Sequence, residues 1–337
     1  MGQVDLPRDQ LERYRSLAPE PADFDDFWVA TLEQSRAHDL APTFEEVDSG
    51  FPHLRSFDVR FRGFDGHPVA AWLHLPRAAD GPVACVVQYI GYSGGRGLPH
   101  QWTLWACAGY AHLVMDTRGQ GSGSCPGDTP DPGPTGPSVA GYLTRGIDRP
   151  EDYYYRRVMT DAVRAVEVAA QHDAVDPARI AVAGVSQGGG LALAAAGLAD
   201  GVAAVLSDVP FLCDFGRALE VSDEHPYREL RQYLSSHRGA EDRVFATLGY
   251  FDGVCFARRA TAPALISVAL MDTICPPSTV YAAYSEYAGP KALEVYPYND
   301  HEGGGAHHEQ RQMAWLRERL LPAGPVQASA QGSAQAT

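Results

Sequence analysis

Apolar and polar positions change period several times along the chain. Leu11, Tyr14 and Leu17, then Phe24, Phe27, Trp28 and Leu32, recur at near-helical spacing and predict an amphipathic, helical N-terminal segment over residues 1–45. Phe57 to Phe61 alternates apolar with polar, Phe64-Asp65-Gly66-His67 is a turn signal, and Val69 to Leu75 returns, which predicts a hairpin at a sheet edge. Val83 to Ile90 is almost unbroken apolar sequence, as a strand covered on both faces requires. A helix around Trp102–Ala108, a strand at Ala111–Met115, a helix at Arg157–His172 and a strand at Ile180–Ala183 follow. Beyond them come a strand at Val202–Ser207, a helical insertion over 211–259 and a strand at Ala264–Leu270. A helix from Ser278, a strand at Leu293–Tyr296 and a helix near Glu309–Leu321 complete the pattern. Strands alternating with helices predict an α/β fold whose central sheet is mostly parallel and has helices on both faces.

This pattern assigns residues 1–321 to one domain, with a long Gly-, Pro- and Asp-rich loop at 122–150 as a candidate interface. Residues 322–337 carry no charge and almost no bulky apolar group, so they are expected to form a disordered tail. The net charge of −15, from 42 acidic against 27 basic residues, argues against nucleic acid or an anionic membrane as a partner. No apolar run reaches the ~18 residues that span a bilayer, and the polar N-terminus has no leader-like apolar region. The six cysteines show no paired C-x-x-C spacing, so they read as buried free thiols of a cytoplasmic protein.

The chemistry centres on Gly184-Val185-Ser186-Gln187-Gly188, which follows an apolar run and precedes a stretch of small helix formers. G-x-S-x-G at a strand–turn–helix junction is the nucleophile elbow of the α/β-hydrolase fold, and it makes Ser186 the candidate nucleophile. In that fold the acid and the histidine follow in chain order, each after a strand. Asp272 comes just after the strand Ala264–Leu270, and His301 follows Leu293–Tyr296. Asp300 and Asp252 are weaker candidates for the acid, and His307 and His308 for the base. The set His301, Glu302, His307, His308 and Glu309 lacks H-E-x-x-H spacing, and no metal or other cofactor is expected. Oxyanion donors are expected from the backbone N–H groups of Gln187 and Tyr92. Arg118 and Gln120 either brace the site and the loop after them or are ordinary turn residues.

Several motifs together resemble carbohydrate esterase family 7, the acetyl xylan esterases that are also cephalosporin C deacetylases. They are Arg118-Gly119-Gln120-Gly121, Gly184 to Gly189 and His301-Glu302, joined by Tyr153 to Arg156, Asp208 to Cys213, His225-Pro226-Tyr227, Tyr250-Phe251-Asp252 and Cys275 to Thr279. The likeness runs over residues 5–320. It implies a Ser186, Asp272, His301 triad, no metal, small acetylated substrates and a cytoplasmic homohexamer. One departure is Ile90-Gly91-Tyr92, where the family usually has H-G-Y; the backbone donor is unaffected by that exchange. Tyr92, Trp105, Phe211, Pro226 and Ile274 are expected to line a narrow acyl pocket. Competing readings are a general short-chain carboxylesterase or acyltransferase on the same scaffold, and a catalytically silent sugar-binding protein.

Overall fold

The computed structural model describes residues 4–123, 125–132 and 138–321. The tail at 322–337 and positions 124 and 133–137 of the long loop lie outside the described residues. The elements in chain order begin with α1 (Arg8–Leu11), α2 (Phe24–Arg36), β1 (Thr43–Val47), β2 (Leu54–Arg62) and β3 (Pro68–Pro76). β4 (Val83–Tyr89), α3 (Leu104–Cys107), β5 (Ala111–Met115), α4 (Tyr154–Ala170), β6 (Val175–Val185), α5 (Gln187–Leu198) and β7 (Val202–Asp208) follow. The insertion then supplies α6 (Phe215–Val221), α7 (Tyr227–Ser236), α8 (Glu241–Leu248) and α9 (Gly253–Ala257). β8 (Ala264–Ala269), α10 (Pro277–Glu286), β9 (Lys291–Tyr296) and α11 (Gly305–Leu320) close the chain.

The nine strands form one sheet in the order β1-β2-β3-β5-β4-β6-β7-β8-β9. Antiparallel pairing joins β1 to β2, β2 to β3 and β3 to β5, and every pair from β5 through β9 is parallel. The expected α/β architecture is therefore the one observed. Side-chain alternation divides the core between the two faces. Cys85, Val87 and Tyr89 of β4 join the cluster beneath α2, α4 and α5, whereas Ala84 and Val86 join Trp105 and Trp315 under α3 and α11. Both faces are thus covered, which explains the unbroken apolar run of β4. Among the described residues no helix is long and apolar enough to cross a membrane.

Two N-terminal expectations are corrected. The segment 1–45 is not helical throughout: α1 ends at Leu11, Pro19 and Pro21 lie in the non-helical stretch before α2, and Leu17 is exposed. Thr43–Val47 is a strand, so the β2–β3 hairpin lies inside the sheet rather than at its edge. The burial of β1 is mostly that of an exposed edge, and its Thr-Phe-Glu-Glu-Val sequence carries little apolar signal.

The antiparallel β3–β5 ladder sets His74 opposite His112, with ring centroids 6.3 Å apart. His74 Nδ1 meets Ser56 Oγ at 2.8 Å, and His112 Nε2 meets Gln88 Oε1 at 2.8 Å. Burial pushes the His74 pKa from 6.5 down to about 4; burial, then repulsion from His74, pushes His112 down to about 3. Both rings are neutral when folded, whereas the unfolded chain takes up protons near pH 6.5. Their contribution to stability is complete above about pH 6.5 and is lost as pH falls towards 4 and then 3. His74→Gln keeps a polar partner for Ser56 and cannot titrate, so it is expected to flatten the fall of the urea midpoint between pH 6.5 and 4; an unchanged slope would count against this origin.

Candidate active site

β6 delivers Ser186 at its C-terminal end, and α5 begins at the next residue. Ser186 has φ 58° and ψ −119°, a backbone conformation that side chains other than glycine rarely adopt. Three hydrogen bonds hold it there. Its N–H donates to the Asp208 carbonyl at 2.9 Å, and its own carbonyl accepts from Gly190 N and Phe211 N, both at 3.0 Å. The flanking glycines are required by space: a Cβ on Gly184 would stand 2.2 Å from Gly188 backbone, and one on Gly188 would stand 2.3 Å from the Tyr89 carbonyl oxygen.

The loop after β8 carries Asp272, fully buried. Its Oδ1 accepts from Ile274 N at 2.8 Å and Cys275 N at 2.9 Å, and its Oδ2 lies 2.8 Å from His301 Nδ1. An ionised carboxylate only accepts, so Nδ1 carries the proton and Nε2 is left with its lone pair. The loop after β9 that holds His301 is shaped by Asp300, whose Oδ1 accepts from His301 N at 2.9 Å. Ser186 and His301 line one cavity of about 600 Å³. The Ser186–His301 hydrogen bond is not made in this structure; such bonds commonly tighten only when substrate binds.

The other sequence candidates have separate duties. Asp252 is buried and accepts from the N–H groups of Asp214, Phe215 and Val254. Burial, reinforced by Asp214, raises its pKa to about 7. His308 is buried between Asp208 Oδ1 and Tyr296 Oη, each at 2.9 Å, while His307 is exposed. Gln312 donates to both Asp208 carboxylate oxygens, at 2.9 and 2.8 Å. Among the described residues the one group compact enough to hold a metal ion is Asp272, Cys275 and His301. In that group aspartate and histidine are already bonded to each other, and burial pushes the Cys275 thiol well up, which keeps it protonated.

Gln187 is the first residue of α5, so its N–H has no carbonyl one turn back. Two glutamine side chains lace this turn to the loop after β4. Gln187 Nε2 donates to the Ile90 carbonyl at 3.1 Å, and Gln120 Nε2 donates to Gln187 Oε1 at 2.9 Å. Gln120 Oε1 accepts from Ser93 N at 2.7 Å, which fixes the backbone next to Tyr92. Arg118 lies behind Gln120, buried, with a two-point contact to Asp161 at 2.5 and 2.7 Å. Arg118 and Gln120 are therefore braces rather than ordinary turn residues.

Tyr92 lines the cavity, and its hydroxyl donates to Glu229 at 2.6 and 2.8 Å. Burial and then that carboxylate push the phenol well above its usual range. Glu229 belongs to α7 and also accepts from the N–H groups of Gly141 and Leu143, so the insertion pins both loops. Sequence reasoning missed Glu229, because one carboxylate on a polar helix carries no pattern. Pro226 and Ile274 line the cavity. Trp105 and Phe211 do not. Trp105 packs on Tyr110 at 5.8 Å, and Phe211 is buried behind Tyr92, 4.5 Å from Tyr227. Trp102, just before α3, lines the cavity together with Ile90, which packs with Trp72, Val114 and Trp102.

The family model described as acetyl xylan esterase (AXE1) matches residues 1–319. The acetyl esterase Axe7A of Xylanibacter ruminicola is 27% identical over 92% of this chain and 70% of its own length. Acetyl xylan esterase from Paenibacillus sp. R4 superposes with a TM-score of 0.86 at 39% identity, covering 94% of this chain and 100% of that one. Acetyl xylan esterase 1 from Thermoanaerobacterium sp. JW/SL YS485 gives 0.84 at 32% identity, covering 93% and 99%.

Gln120→Ala removes the side chain that satisfies Ser93 N and Gln187 Oε1 in a buried setting. It is expected to lower the unfolding free energy by about 1–3 kcal/mol, read from urea denaturation. An unchanged midpoint would show that the lacing contributes no stability.

Proposed function

The chain belongs to the acetyl xylan esterase family, whose members are carboxylic ester hydrolases acting on acetyl esters, and on that premise we propose a Ser186, His301, Asp272 triad working through an acetyl-enzyme. The observation that carries the triad is the 2.8 Å pairing of His301 with buried Asp272 at the cavity where Ser186 ends its strand. His301 Nε2 takes the Ser186 proton as the hydroxyl attacks the acetyl carbonyl. Asp272 holds the imidazole in the tautomer this requires and stabilises the imidazolium that forms. The N–H groups of Gln187 and Tyr92 receive the oxyanion, and the lacing through Gln120 and Gln187 supports their alignment before substrate arrives. The alcohol leaves with the proton from His301, and water, deprotonated by the same imidazole, releases acetate.

Tyr92, Pro226, Ile274, Ile90 and Trp102 form the apolar wall of the proposed acyl pocket. The proposed substrates are small acetylated sugars such as acetylated xylo-oligosaccharides, with the acetyl ester of cephalosporin C as a further one. The proposal extends to a cytoplasmic homohexamer, with the 122–150 loop at its interfaces. Cys107 is exposed and Cys125 partly exposed, contrary to the expectation of burial, and the free state of all six cysteines supports a reducing compartment.

Hydrolysis of acetylated xylo-oligosaccharide and cephalosporin C, read as acetate release, and of 4-nitrophenyl butyrate, read as 4-nitrophenol release, tests the assignment. Wild type is expected to favour the two acetyl substrates over butyrate. Ser186→Ala is expected to lose on the order of 10⁶ in kcat and Asp272→Asn on the order of 10⁴. Retention of wild-type rates by Ser186→Ala would overturn the triad, and equal rates on acetate and butyrate esters would overturn the pocket.

A further inference from the structure

A second cavity, of about 410 Å³, abuts the one that holds Ser186 and His301, and Gln88, Trp102 and Val185 line both. We propose that this second cavity binds a neutral sugar ring: the unit adjoining the acetylated one in an oligosaccharide whose ester lies against Ser186. The proposal rests on the acetyl-sugar reading above and deepens it.

The chemistry of the shared wall comes first. Val185, the residue before Ser186, is 42% exposed on the boundary between the cavities. An exposed apolar side chain there suits the C–H face of a ring passing from one cavity to the other. Trp102 offers a flat aromatic surface on the same path, and its Nε1 is tied to the Arg96 carbonyl at 2.6 Å, so its ring is held before any ligand arrives. Gln88, the residue before the last of β4, has His112 Nε2 2.8 Å from its Oε1. With the neutral imidazole donating to Oε1, the amide nitrogen keeps its donors for a ligand.

Beyond the boundary the polar lining is mixed. Thr103 makes no side-chain capping bond at the start of α3, so its hydroxyl is free to donate or accept. Gln312 uses its Nε2 on Asp208 and retains its Oε1 as an acceptor, and exposed Glu309 adds a carboxylate. Among the described residues no lysine or arginine lines the cavity, whereas Asp208 and Glu309 do, which disfavours an anionic ligand. Amides, a hydroxyl and a carboxylate beside an indole and a valine match a ligand with many hydroxyls and apolar ring faces.

The test measures kcat/KM for acetylated xylotriose and for 4-nitrophenyl acetate with the full-length enzyme. It compares wild type, Glu309→Ala and Thr103→Trp; the first removes an exposed acceptor and the second fills the cavity. The ratio of the two kcat/KM values is expected to fall about three- to tenfold in Glu309→Ala and further in Thr103→Trp. Unacetylated xylotriose is expected to inhibit 4-nitrophenyl acetate hydrolysis by wild type competitively, and more weakly in both variants. If both variants keep the wild-type ratio and inhibition constant, the second cavity is not on the sugar's path and the assignment fails alone. If wild type cleaves 4-nitrophenyl acetate but no acetylated sugar, the sugar reading fails and takes this assignment with it.

Discussion

The elbow leaves no room for a Cβ at Gly184 or Gly188, two residues before and after Ser186, and much of the molecule is arranged around that shortage of space. Gly184 faces the backbone of Gly188, Gly188 faces the carbonyl of Tyr89, and Gly190 faces the carbonyl of Phe211. α5 can therefore stand almost against the ends of β4 and β7, with Gly188 beside Tyr89 and Gly189 beside Asp208. The left-handed backbone at Ser186 is maintained by hydrogen bonds from residues on three sides of the turn. Strain of this kind persists because the surroundings over-determine it.

The second tier of order is polar and buried. Arg118 with Asp161, Gln120 with Gln187, and Tyr92 with Glu229 form successive links from the core of α4 to the cavity wall. Each link satisfies backbone N–H groups as well as side chains: Phe64 N on Asp161, Ser93 N on Gln120, Leu143 N on Glu229. Irregular loops can be buried at the cavity because these side chains replace the ladder partners that the backbone lacks.

The parallel half of the sheet was legible in the sequence because its strands are covered on both faces and read as unbroken apolar runs. Strand ends then located Asp272 and His301, and the structure brings these two within hydrogen-bonding distance. The N-terminal edge was illegible for the opposite reason: Thr43–Val47 is mostly exposed, so selection for burial left little trace in it. The sequence points to Trp105 for the acyl pocket and passes over Trp102, because a helix of four residues has too little periodicity to say which side faces the Ser186 cavity. Glu229 left no sequence signal, since its partners come from segments 137 and 86 residues away. The nucleophile motif was legible, whereas the contacts that hold its surroundings depend on tertiary proximity.

Asp208 has a mechanical consequence for the molecule in motion. Its carbonyl holds the N–H of Ser186, while its carboxylate holds His308 and Gln312 on α11. His308 is bonded in turn to Tyr296, so the two residues that bracket the His301 loop are fastened across its base. One residue at the end of β7 thus moors both the nucleophile's turn and the histidine's loop. When thermal fluctuation shifts α11 against the sheet, the turn and the loop are carried along together. Their mutual spacing is buffered against a displacement that would otherwise open it.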